Sequence, residues 1–351
     1  MNFDHSHRHC IGVLMTNLGT PESPDTSAVR RFLKQFLWDP RVVEVPRAVW
    51  WWVLNVVILN TRPRKSARAY QKVWTEKGSP LMTISMEQVD KLRQALEGLD
   101  IIVEPGMRYG SPSLVHGLTR LKDQGATRIL ILPLYPQYSA TTTATTFDAI
   151  ASALKSWRWI PELRFINHYH DHKLYIEALA VSVENHWKHH GQADRLLMSF
   201  HGIPKEYFHN GDPYYCECQK TARLLGERLG ITEEQYQVSF QSRLGPKQWL
   251  QPYTDQTLES LPGEGVHSVQ VLCPGFSADC LETLEEIAME NKAVFMNAGG
   301  QCYEYIPCLN IEPAHIEMMK TLVLTNTQGW NNDQEKPEHR QQRAINLGAP
   351  K

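Results

Sequence analysis

The chain has 351 residues, 42% of them hydrophobic and 21% charged, with a formal net charge of −2 at pH 7. That length can bury a full core as one large α/β domain or two smaller ones, and a near-balanced charge with no basic stripe excludes an electrostatic case for nucleic-acid binding. There are seven cysteines without a disulfide-like framework, no apolar signal core, and no apolar run near the roughly 18 residues of a spanning helix. We therefore expect a cytoplasmic protein, at most peripherally attached to a membrane.

Residues 1–10 are polar and read as a flexible N-terminus, in which His5, His7 and His9 alternate. Ile11–Asn17 reads as a first strand ending in Leu18-Gly19-Thr20-Pro21, and a helix follows over about Thr26–Leu37 with Asp25 as its cap. The most apolar stretch lies between Pro46 and Arg62 and contains Trp50, Trp51 and Trp52 in succession. Two readings stand there. One is a buried core helix, for which about 12 apolar residues is a usual length. The other is an exposed apolar lip over 48–59 that grips a flat hydrophobic ligand or dips into a bilayer interface. Arg62, Arg64, Lys65 and Arg68 beside it suit either an anionic lipid or a carboxylated ligand.

Further along, helices are expected over Ala67–Trp74 and Thr83–Leu96, with a turn at Lys77–Pro80 between them. A strand over Asp100–Gly106 ends in Met107-Arg108-Tyr109-Gly110, and a helix runs from about Ser113 to Gln124. A second apolar strand, Arg128–Leu134, ends in Tyr135–Ser139 ahead of a helix over Thr141–Leu154. Strands alternating with helices at this spacing indicate a parallel sheet.

The second half repeats the plan. LMTNLGTP (Leu14–Pro21) aligns with LMSFHGIP (Leu197–Pro204), and YPQYSA (Tyr135–Ala140) aligns with CPGFSA (Cys273–Ala278), in the same order. This points to a duplicated α/β unit whose halves meet near Ile166–His172. The copies differ where chemistry can enter. Leu18 is matched by His201, and Thr141 and Ala144 are matched by Asp279 and Glu282. Strand Val269–Leu272 is expected to pass through a Pro/Gly turn into a helix opening near Ser277, on which Glu282, Glu286 and Glu290 form one acidic row. A solvated face is the ordinary meaning of such a row. Its place after a strand end, where open α/β sheets bind ligands, makes it a candidate path for a divalent cation. A histidine opposite a carboxylate is equipment for moving protons or holding a metal. Cys216 and Cys218 are spaced too closely for a CxxC pair, and no GxGxxG, Walker A or GxSxG motif is present.

SFHGIP (Ser199–Pro204) with GDPYY (Gly211–Tyr215), FQSRLGPKQWLQPYTD (Phe240–Asp255) and CPGFSADCLETLEEI (Cys273–Ile287) resemble the ferrochelatase family. NLGTP (Asn17–Pro21), GSPL (Gly78–Leu81), MRYGSPS (Met107–Ser113) and LPLYPQYS (Leu132–Ser139) extend the likeness, nearest to proteobacterial members, over about residues 11–325. The resemblance implies two similar Rossmann-like halves, 11–165 and 166–325, built of parallel sheets flanked by helices around a central porphyrin cleft. It implies insertion of Fe²⁺, as substrate, into protoporphyrin IX to give haem. His201 and Glu282 would be the catalytic pair, acting as pyrrole-proton acceptor and iron ligand in an order left open, with Asp279 in support. Glu286 and Glu290 would continue the metal path along a helix with a π-type widening. Arg108, Tyr109, Tyr138, Trp249 and Ser79 would bind substrate. The WWW segment falls at the family's lip. Some relatives have histidine where this chain has Cys280, which is given no catalytic role. No cysteine follows Cys308, so no C-terminal [2Fe–2S] cluster is expected. Residues 326–351 are polar and aperiodic and are expected to be disordered.

Overall fold

The computed structural model describes residues 10–243, 245, 247–330 and 337–349. Except for Cys10, the expected flexible N-terminus falls outside them. Among the described residues there are two four-stranded parallel sheets. In the first, β1 (Cys10–Asn17), β2 (Ile101–Met107), β3 (Ala126–Pro133) and β4 (Glu162–Phe165) stand in the order β2-β1-β3-β4. In the second, β5 (Arg195–His201), β6 (Tyr236–Gln241), β7 (Ser268–Leu272) and β8 (Cys302–Ile306) repeat it as β6-β5-β7-β8. The strand order of one sheet is thus the strand order of the other, as the internal repeat anticipates. Every residue of β1 is buried, as expected of a parallel strand covered on both faces, and such strands read as continuous apolar runs.

The halves share a core. One apolar cluster contains Val13 and Leu130 of the first sheet together with Met198, Phe200 and Leu272 of the second. The last helix of the second half, Pro313–Asn326, also packs on Pro80–Ala95 and on β3 of the first. Gln88, fully buried on Pro80–Ala95, donates to the carbonyls of Ser277 and Asn310, both at 2.9 Å. Two sheets with one shared interior hold the strand ends in fixed relation.

The structure departs from the sequence reading in two places, and in a third, the WWW segment, it agrees with one of the two readings given. The helix expected to open near Ser277 opens at Glu282, because the backbone before it is held by other elements instead. Asp279 N–H, for example, donates to Asn310 Oδ1 at 2.8 Å. The WWW segment is not a buried core helix. Arg47–Trp52, the π-helical Val53–Ile58 and Leu59–Val73 run end to end, with Trp50, Leu54 and Leu59 buried while Trp51, Trp52, Val53, Val56 and Val57 face outward. Trp52 is 65% exposed, so the segment is an apolar lip. Finally, the tail carries a helix, Pro337–Asn346, where the sequence reading has none. Its Glu, Gln, Arg and Ala are good helix formers, and Pro337 suits a first turn.

Candidate active site

The two sheets present the same device at the end of their first strands. Gly19 and Gly202 are aligned in the repeat, and neither has room for a side chain. A Cβ on Gly19 would lie 1.8 Å from the Tyr109 carbonyl oxygen after β2, and one on Gly202 would lie 2.9 Å from the Gln241 carbonyl oxygen at the end of β6. Each glycine lets a loop close against the neighbouring strand end, which fixes where the residue before it points. That residue is Leu18 in one half and His201 in the other. Leu18 packs in the small cluster that contains Phe276, and the His201 ring centroid is 6.5 Å from that of Phe276. The two strand ends therefore converge on one ring.

His201 Nδ1 lies 2.6 Å from the Gly202 carbonyl oxygen. A carbonyl can only accept, so Nδ1 carries the proton and the neutral ring keeps its lone pair on Nε2. Gln241, paired with His201 across β5 and β6, is buried and fully engaged. Its Oε1 accepts from Ser199 Oγ at 2.8 Å, and its Nε2 donates to the Glu282 carbonyl at 3.2 Å. One amide thus ties the histidine strand to the first turn of the acidic helix.

That helix, Glu282–Asn291, is π-helical throughout, the widening implied by the resemblance. Its aligned counterpart in the first half also begins with a π turn, Ala140–Ala144. Asp279 anchors the approach, accepting from Thr283 Oγ1 (3.0 Å), Asn310 Nδ2 (2.7 Å) and the Tyr305 hydroxyl. Glu285, off the row, pairs with Lys72 of the lip helix at 2.5 Å. Glu282 hydrogen-bonds with the Cys280 thiol, whose pKa is pushed up first by burial and then by that carboxylate. It also faces the buried Tyr70 phenol, raised mainly by desolvation. Glu286 accepts from the Ser242 N–H at 2.8 Å and from the Ser242 hydroxyl. Ser242 sits at φ 65°, a left-handed conformation unusual for serine, held in place by that carboxylate.

Burial, with Glu282 and Glu290 nearby, raises the Glu286 carboxyl to about 7 against the Ser242 bonds, which lower it. A carboxyl raised in the folded state binds its proton more tightly folded than unfolded, so stability falls as pH rises from its ordinary value of 4.5 through 7. Glu286→Gln is expected to raise the melting temperature at pH 8 and to leave it nearly unchanged at pH 5. Thermal melts at the two values check this, and an unchanged Tm at pH 8 would contradict it.

The other expected site residues divide. Trp249 closes on the histidine: its Cε3 lies 3.2 Å from where a Gly202 Cβ would be. Ser79 is buried and accepts from Thr20 Oγ1 at 2.9 Å, and Thr20 in turn hydrogen-bonds the Tyr70 phenol that faces Glu282. Tyr138 is half-buried, its N–H held by Glu217 at 2.7 Å, and Glu217 is itself gripped by His168. Arg108 and Tyr109 lie beside the end of β1, their N–H groups donating to the Asn17 and Leu18 carbonyls at 2.8 and 2.9 Å, and their side-chain polar groups are engaged. The Arg108 guanidinium pairs with Asp39 and bonds Thr145 Oγ1 at 2.8 Å, and Tyr109, 1% exposed, donates to Asp39 at 3.0 Å. No three of His201, Glu282, Glu286 and Glu290 bring ligand atoms within 4.8 Å of one another, so the row is not a closed metal cage. Gln241 and Ser242, which tie strand to acidic helix, were not legible as site residues. Their signal is the FQSR stretch that carries part of the family resemblance.

A model of the ferrochelatase family matches residues 10–327. A ferrochelatase of Marinobacter nauticus is 54% identical over 347 residues, covering 98% of this chain and 94% of the relative. One of Idiomarina loihiensis is 54% identical over 345 residues, covering 97% and 94%. The chain belongs to the ferrochelatase family. Iron insertion into protoporphyrin, the terminal step of haem synthesis, is the activity that goes with that membership. The fold is also that of SirB from Bacillus subtilis, determined with Fe³⁺, at a TM-score of 0.54 and 13% identity, covering 93% of this chain and 100% of that one.

Proposed function

We propose that the chain inserts ferrous iron into protoporphyrin IX with His201 as the pyrrole-proton acceptor and Glu282 at the head of an iron path continued by Glu286 and Glu290. The observation that carries this reading is the Gln241 bridge, which holds the His201 strand against the first turn of the acidic helix. Metallation releases two pyrrole protons as Fe²⁺ enters. His201 Nε2 has its lone pair available for the first. Glu286, near half-protonated at neutral pH, can lose its proton when a cation arrives and regain it when the cation moves on. Like-charge repulsion along the row keeps the cation from being trapped, and carboxylate oxygens are suitable transient ligands for Fe²⁺. Trp249 beside His201 offers a flat face to a macrocycle, and ring distortion would expose a nitrogen lone pair to the entering iron.

Glu282→Gln is expected to abolish insertion while leaving porphyrin binding intact. The measurement is anaerobic: porphyrin fluorescence for binding and haem absorption for product. Insertion at the wild-type rate would remove Glu282 from its role, and porphyrin binding without metallation in the wild type would make the chain a carrier instead.

The outward face of the lip, from Trp51 to Val57, supports a cytoplasmic protein that meets the membrane interface peripherally. No described helix is long and apolar enough to cross a membrane. Cosedimentation with anionic vesicles is expected for the wild type and is expected to fall in a Trp52→Ser/Val56→Ser variant. Equal recovery of both in the pellet would rule the lip out.

A further inference from the structure

On the far side of the acidic helix lies a second cluster that the reaction does not use. His186 and His190 stand four residues apart at the end of helix Lys173–His190, their rings stacked at 4.3 Å and 11°. Both face Glu304 of β8, the edge strand of its sheet. His186 Nε2 is 3.0 Å from Oε2 and His190 Nδ1 is 2.9 Å from Oε1. One ligand atom from each of the three residues lies within 4.8 Å of the other two. The group lines a cavity of about 500 Å³ whose other walls include Lys292, Tyr303 and Tyr305. Both tyrosine hydroxyls point elsewhere, to the Ile287 carbonyl at 2.6 Å and to Asp279, which leaves the two imidazoles and the carboxylate as the metal-type donors on the cavity wall.

The supporting shell is what distinguishes this cluster from an incidental ion pair. Past its opening Ser268, β7 is apolar except for Gln270 in its middle, 2% exposed. Every hydrogen-bonding position of that side chain is used to orient the cluster. Nε2 donates to Glu304 Oε2 at 2.8 Å and to the Gly191 carbonyl at 2.9 Å, while Oε1 accepts from Trp187 Nε1 at 2.8 Å and from the Ala193 N–H at 3.3 Å. A buried polar residue in a central strand is costly unless it is satisfied, and here it fixes a carboxylate and the chain on both sides of His190.

We propose that His186, His190 and Glu304 bind a first-row divalent transition cation such as Zn²⁺ or Co²⁺, with the remaining coordination position open to the cavity. Two nitrogens and one oxygen around an open position are a borderline donor set suited to those ions rather than to Mg²⁺ or Ca²⁺. The site is separate from the iron path. Ala288 and Lys292 line the cavity, while Glu286 and Glu290 of the same helical stretch lie two residues off in register, on its other side. Lys292 is a cation on the cavity wall and weakens the site for free ions, which favours an ion that takes two nitrogen ligands over a hard cation held by charge alone. A bound ion would clamp the end of Lys173–His190 to the edge strand β8.

The test is equilibrium dialysis of the full chain against Co²⁺ near neutral pH, with visible absorption of the bound ion and thermal melts with and without metal. The expected result is that His186→Ala/His190→Ala loses one bound equivalent, its visible bands and the metal-dependent rise in Tm, while Glu282→Gln/Glu286→Gln keeps all three. Glu304→Gln, which retains an acceptor for Gln270, is expected to weaken binding at least tenfold and covers the case in which the double variant fails to fold. An unchanged equivalent in these variants, or one that disappears only on replacing His5, His7 and His9, would overturn the site.

Discussion

His201→Ala is expected to slow iron insertion into protoporphyrin by about 10²–10⁴-fold, the usual worth of a positioned general base. The fold should survive. His201 is only part-buried at a strand end, and the bond its ring makes is to its own neighbour's carbonyl. The anaerobic rate of haem formation, followed beside far-UV circular dichroism, separates the two effects. A variant that keeps the wild-type rate would place the proton acceptor elsewhere, with Glu286 next in line.

The second large effect is expected on stability. Asp39 is 6% exposed and receives the Arg108 guanidinium, the Tyr109 hydroxyl at 3.0 Å and the Thr145 hydroxyl. Asp39→Ala leaves a largely buried guanidinium without its counter-charge and two hydroxyls without an acceptor. Removing one partner of such a buried pair costs about 3–5 kcal/mol. Chemical denaturation is expected to show a loss of that order. Arg108→Met, which removes the charge and keeps the bulk, should cost less than Asp39→Ala, because replacing a buried ion with an apolar side chain avoids the unpaired charge. Equal losses would mean that Arg108 is not held chiefly by Asp39. A normal stability in Asp39→Ala would contradict the weight placed on that pairing.

Much of the fold was legible because its signals are local or repeated. Apolar runs of strand length alternate with amphipathic stretches, and the helix over Thr26–Leu37 is capped by Asp25, which accepts from the Ser27 and Ala28 N–H groups as the sequence suggests. The repeated strand-end motifs anticipated that the second sheet would copy the order of the first. The acidic row and its place after β7 were equally readable. The WWW segment was not decided by its composition. Burial of one face and exposure of the other depend on which neighbours, here Leu37 and its surroundings, reach Trp50, Leu54 and Leu59.

The site divides along the same line. Glu282, Glu286 and Glu290 follow from spacing on one helix, and His201 follows from a difference between two aligned strand ends. Nothing in the order of residues indicates that Gln241 joins them, that Ser242 adopts a left-handed conformation against Glu286, or that Gln270 is satisfied by groups from two separate segments. The same holds of Arg108 and Tyr109: nothing along the chain indicates that Asp39, 69 residues before Arg108, bonds both. The sequence by itself determined the class of fold, its duplication and the chemical inventory, because periodicity and repetition are properties of neighbours along the chain. Only the tertiary structure decided which of those groups are available, because hydrogen bonding and desolvation are set by residues brought together from distant parts of it.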